Sequence, residues 1–158
     1  MQIINVKNEY YKNKKPGSEV IVPNGFNYKL REPEIEIVNI IKEEFGGTIE
    51  LLNEINVTGY KNPDFSWENK LWEIKSVSTK NSVDSQVRYA LKQISNNVGG
   101  IVLILDRCIL AITEIIDIVA KRVKRTSFKT VPEIDVILMR NFKVIDVIRI
   151  KKDIPSAK

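Results

Sequence analysis

Asp64, Glu73 and Lys75 are the residues of this sequence whose types and spacing suit chemistry best. An acid stands in Asn62-Pro63-Asp64-Phe65-Ser66-Trp67, and an acid-x-base triplet follows in Leu71-Trp72-Glu73-Ile74-Lys75-Ser76. Alternate side chains of a strand share a face, so Glu73 and Lys75 point the same way with Leu71, while Trp72 and Ile74 point the other way. If the two segments pair as a hairpin about Glu68-Asn69, Asp64 comes close to Glu73 across the ladder. Two carboxylates held together repel unless a cation intervenes. A hard divalent ion is satisfied by one or two carboxylates plus waters, so Asp64 and Glu73 are candidate ligands for Mg²⁺ or Mn²⁺. A metal there would activate water and neutralise charge on a phosphoryl group, with Lys75 orienting the water or stabilising the transition state. The plain alternative is a structural ion pair at a sheet edge; against it stands the cost of burying such a pair under helices without a use.

Composition narrows the chemistry. The chain has 158 residues, no His and one Cys, Cys108, which removes the commonest zinc ligand, the commonest general base and any internal disulfide. With 43% hydrophobic and 28% charged residues it reads as one globular domain able to bury about 70% of its unfolded surface. Its longest apolar run, 101–105, is far short of the roughly 20 residues of a membrane span, and no signal-peptide core precedes it, so a soluble chain acting in the cytoplasm is expected. The net charge is +5, and 121–129 alone carries five basic residues and no acid. That segment suits a polyanion partner or a solvated helix end equally well.

The elements that must position these residues follow from periodicity. Residues 1–32 hold turn signals at Lys14-Lys15-Pro16-Gly17 and Pro23-Asn24-Gly25 and one short alternation at 19–22, which predicts an edge strand inside an arm or lid. A helix is predicted from Pro33 to about Phe45, stopped by Gly46-Gly47. Its apolar arc of Ile37, Val38, Ile41 and Phe45 includes the direction of Glu34. Strands at 48–52, 59–66 and 70–76 then form a meander. Val83, Val87, Ala90, Leu91 and Ile94 mark a helix over 82–96, and the unbroken run 101–105 suits a strand covered on both faces. A helix at 112–124 and strands at 134–139 and 143–150 complete an α/β domain over 33–152, with a flexible tail at 153–158.

The acid, the acid-x-Lys triplet and the order of elements around them resemble the PD-(D/E)xK nuclease superfamily. That resemblance implies a restriction-endonuclease-like αβββαβ core, here with an added helix and a C-terminal β-hairpin. The run from Lys61 to Asn97, with Trp72-Glu73-Ile74-Lys75-Ser76 and Ala90-x-x-Gln93, is similar to the C-terminal tRNase toxin domains of contact-dependent growth inhibition (CdiA-type) and related polymorphic toxins. The resemblance implies metal binding by Asp64 and Glu73, catalysis by Lys75, an added carboxylate from Glu34, RNA (tRNA above all) as substrate, and a cognate immunity protein as partner. Gln86 and Gln93, about 20° apart on one helix flank, and Ser76 and Thr79 suit phosphate or water contacts, though Thr79 serves equally as a helix cap. Lys121, Arg122, Lys124 and Arg125 are candidate phosphate contacts. DNA stays open as the substrate, and so do two other readings: a metal-independent toxin RNase of the barnase/colicin-like group, and a non-catalytic module that binds nucleic acid or a protein partner.

Overall fold

A computed structural model describes residues 1–54 and 62–153. Three of its strands form the centre of the sheet: β5 (Lys70–Ser76), β6 (Val98–Ile104) and β7 (Glu133–Arg140), all parallel to their neighbours in that trio. β6 is the apolar run predicted to be covered on both faces. Ile101 and Leu103 enter one core and Val102 enters the other.

Outward from the centre, β8 (Lys143–Lys151) and β1 (Gln2–Asn5) add antiparallel on one side. On the other side lie β4 (Phe65–Trp67), β3 (Gly46–Leu51) and β2 (Lys15–Ile21), giving a mixed eight-stranded sheet among the described residues. Helices α3 (Lys80–Ile94) and α4 (Ile112–Arg125) pack on one face; α1 (Lys7–Lys12) and α2 (Tyr28–Phe45) pack on the other. The order α2-β3-β4-β5-α3-β6 is the expected αβββαβ succession, followed by α4 and a β7–β8 hairpin. No described helix is long and apolar enough to cross a membrane.

Residues 1–32 carry the edge strand expected near 19–22, which is β2, and are integrated into the sheet. They supply both edge strands of the sheet, and Val6, Tyr10 and Phe26 are buried in the α2-side core. Edge strands exposed on both faces carry no burial alternation: all four residues of β1 are exposed, as are five of the seven in β2. Pro16 and the bulge between Lys15 and Ser18 suit an edge, where a missing N–H is harmless. Tyr10 ties α1 to the sheet by donating to buried Asp135, which also receives a bidentate fork from Arg149 at 2.8 and 3.1 Å.

The predicted helix start at Pro33 is the second piece of a longer helix. Asn27 caps α2 by accepting from Leu30 N at 3.1 Å, and the backbone leaves helical geometry at Arg31 (φ −113°, ψ 16°) before resuming. Pro33 cannot donate to the preceding turn, which accounts for the kink. The predicted strand 59–66 reduces to β4 within the described residues; its part at 59–61 lies outside them, as does the tail at 154–158.

Candidate functional site

The β4–β5 hairpin sets the geometry. Glu68 and Asn69 both take positive φ (51° and 64°), the requirement of a two-residue hairpin turn, and the Glu68 carboxylate accepts from Thr48 N at 3.1 Å. The ladder pairs Phe65 with Trp72, so the next rung places Asp64 opposite Glu73. Each acid then binds the other's strand: Glu73 Oε1 accepts from Asp64 N at 3.1 Å, and Asp64 Oδ2 accepts from Ile74 N at 2.7 Å. Lys75 Nζ lies 3.3 Å from Glu73 Oε2. Glu73 is 1% exposed, and its Oε2 has no hydrogen-bond partner.

Glu34 joins from α2. Its carboxylate accepts from Arg31 Nε, and Asp64 lies within hydrogen-bonding reach of both Glu34 and Glu73. Burial and the neighbouring Glu73 push the Asp64 carboxyl up to about 7; burial and the neighbouring Asp64 push Glu34 up to about 7 as well. Four sequence-predicted residues, Glu34, Asp64, Glu73 and Lys75, therefore meet at one end of the sheet.

Arg31 is the residue that sequence reasoning missed. It is 6% exposed, donates to the carbonyls of Leu52 and Asp64, stands 3.8 Å from Asp64 Oδ1, and lies over the Phe26 ring. The signal present in the sequence was its i, i+3 spacing from Glu34.

The remaining candidates scatter. Gln93 has both amide atoms buried without a hydrogen-bond partner, like Glu73 Oε2, whereas Gln86 is half-buried. Ser76 is exposed at the end of β5. The Thr79 hydroxyl accepts from Ser82 N at 3.1 Å while Ser82 Oγ accepts from Thr79 N at 2.9 Å, a capping box for α3. The basic segment is largely paired within the chain. Arg122 forks onto Asp84 at 2.8 and 2.6 Å, Arg125 reaches the same carboxylate at 3.0 Å, and Lys121 pairs with Asp117 at 2.9 Å. Lys124 is exposed.

Among the described residues no group of three or more His, Cys, Asp or Glu side chains is placed to hold a metal ion. The donor set on offer is the Asp64–Glu73 pair, whose buried Oε2 makes no hydrogen bond and faces only the Lys75 ammonium at 3.3 Å, a donor set that fits a hard divalent cation keeping most of its waters.

No curated protein matches the chain. The CdiA-CT/CdiI toxin and immunity complex from Burkholderia pseudomallei superposes with a TM-score of 0.48 at 10% sequence identity, covering 85% of this chain and 99% of that one. Residues 61–144, more than half of the sequence and the stretch that carries Asp64, Glu73 and Lys75, match the contact-dependent growth inhibition CdiA C-terminal domain, and the chain belongs to that family.

Proposed function

We propose that this domain is a growth-inhibiting nuclease that hydrolyses phosphodiester bonds in RNA, with tRNA the expected substrate, by PD-(D/E)xK chemistry. The observation that supports the reading is the cluster of Asp64, Glu73 and Lys75, with a buried carboxylate oxygen left without a hydrogen-bond partner. A carboxylate and an ammonium buried together at 3.3 Å are costly to desolvate, and perturbed charge clusters of this kind concentrate at functional sites. Asp64 and Glu73 would hold Mg²⁺ or Mn²⁺, which when bound lowers the pKa of a water and neutralises phosphoryl charge. Lys75 projects its ammonium beside Glu73, where it orients the attacking water or offsets charge on the phosphoryl oxygens. Gln93 offers an unpaired amide for water or phosphate contacts.

One observation favours a metal-independent second reading. Asp64 and Glu34 both titrate near neutrality and Arg31 already supplies a cation beside them, which suits general acid–base chemistry. Pure protein incubated with total RNA or plasmid DNA, each with Mg²⁺ or EDTA, decides between them. The metal reading expects RNA cleavage abolished by EDTA; cleavage that resists EDTA transfers the chemistry to Glu34, Asp64 and Arg31, and intact RNA in every arm refutes both.

A growth-inhibiting nuclease endangers the cell that makes it. We infer that it acts in the cytoplasm of a target cell and that the producer holds a small acidic immunity protein, captured electrostatically by this +5 chain. Expression of the domain should arrest growth, and co-expression of the neighbouring gene should restore it. Harmless expression of the domain alone would refute the toxin assignment.

A further inference from the structure

A cavity of ≈ 320 Å³ opens beside the carboxylate cluster, at the small end of the roughly 300–1,000 Å³ typical of ligand sites. Its walls are apolar, made by Ile74, Ile104, Met139 and Phe142, and its polar groups include two acids, Glu34 and Asp106. Glu34 belongs to both places, being a wall of the cavity and a neighbour of Asp64.

Phe142 is the telling residue. The β7–β8 turn pairs Arg140 with Lys143 around Asn141 and Phe142, both at positive φ (52° and 58°). A turn of this type strongly prefers glycine at its second central position, and a bulky side chain there is sterically disfavoured. Phe142 is also 49% exposed, so burial does little to offset that cost. The turn is fixed in place by Asn141 N donating to Asp106 Oδ1 at 2.8 Å, which leaves Asp106 Oδ2 free to accept. An aromatic ring held against local backbone preference at the mouth of a cavity points to a ligand with a flat face.

We propose that this cavity is a base-binding subsite: an unstacked nucleobase of the substrate packs against Phe142 and donates its amino hydrogens to Asp106 or Glu34. The proposal rests on the nuclease reading and adds a preference to it. Carboxylate acceptors suit the amino groups of guanine, adenine and cytosine, whereas uracil has no amino group and sets its one ring N–H between two carbonyls that a carboxylate repels.

The test is titration calorimetry of the full chain with GMP, AMP, CMP, UMP and ribose 5-phosphate, alongside the RNA cleavage assay. The amino-bearing nucleotides should bind at least about fivefold tighter than UMP, with ribose 5-phosphate weakest. Phe142→Gly should remove most of the base-dependent affinity, roughly tenfold for one lost stacking partner, while Tm holds or rises because the turn gains its preferred residue. A fall in Tm with binding unchanged would make Phe142 a structural residue and overturn the proposal. Equal affinities for all five probes with RNA cleavage intact would refute the subsite and leave the nuclease standing. Base-selective binding without cleavage of any nucleic acid would refute the nuclease and leave the subsite.

Discussion

Glu73 and Lys75 share one 3.3 Å contact, so under the proposed nuclease reading their contributions to cleavage should not add. Asp64→Ala, Glu73→Ala and Lys75→Ala should each lower RNA cleavage by about 10²–10⁴-fold without unfolding the domain, and Glu73→Ala with Lys75→Ala should be little worse than either alone. Single-turnover rates with circular dichroism as a fold control measure this, and a folded Glu73→Ala variant of full activity removes the site. These three residues were legible because strand alternation and hairpin register are local rules, and the hairpin obeys them down to the reciprocal bonds between Asp64 and Glu73. Arg31 was not legible. Its side chain is turned into the carboxylates by a helix kink and meets Leu52, just after β3, and Asp64, just before β4, long-range neighbours that its local i, i+3 spacing from Glu34 does not announce.

Among the elements, α3 and α4 are joined by a charge clamp where Asp84 holds Arg122 and Arg125. The two guanidiniums were read in the sequence as phosphate contacts; within the folded chain they already have an acid. Arg122 holds the Asp84 carboxyl below the usual carboxylate range, so the clamp stabilises the fold above the unfolded pKa, about 4, and that stability is lost as pH falls through the lower folded value. Asp84→Asn should therefore cost about 1 kcal/mol in urea unfolding at pH 6, and the difference from the parent should shrink below pH 4. The same variant releases two arginines. RNA binding should tighten and its salt dependence steepen by about 0.7 per arginine that reaches a phosphate. An unchanged salt slope would mean the patch serves only to hold the two helices together. Element boundaries were readable wherever a face is buried, as in β5, which spans the predicted residues, and in α4. They failed at β1, whose residues are all exposed, so that only pairing with β8 defines it.

At the scale of the whole molecule, the eight-strand order was beyond the sequence because it depends on where both ends of the chain return. The pattern predicted the meander, the helices from α2 onward and an edge strand near 19–22, but neither β1 nor α1, nor that residues 2–5 would close the edge opposite β2. This arrangement makes the two ends of the chain mechanically unequal. Force applied at residue 1 meets a four-residue strand bonded on one side only and opens it pair by pair, beginning with Gln2 against Lys151. Force applied from the other end must strip β8, nine residues bonded to β7 on one side and β1 on the other. An ATP-driven unfoldase engaging a tag at the N-terminus should therefore thread the domain faster than one engaging the C-terminus, and equal rates would show that the edge strand does not set the barrier. Pulled from residue 1 through a narrow channel, the sheet gives up its shortest edge strand first, and β8 is then left bonded on one side only.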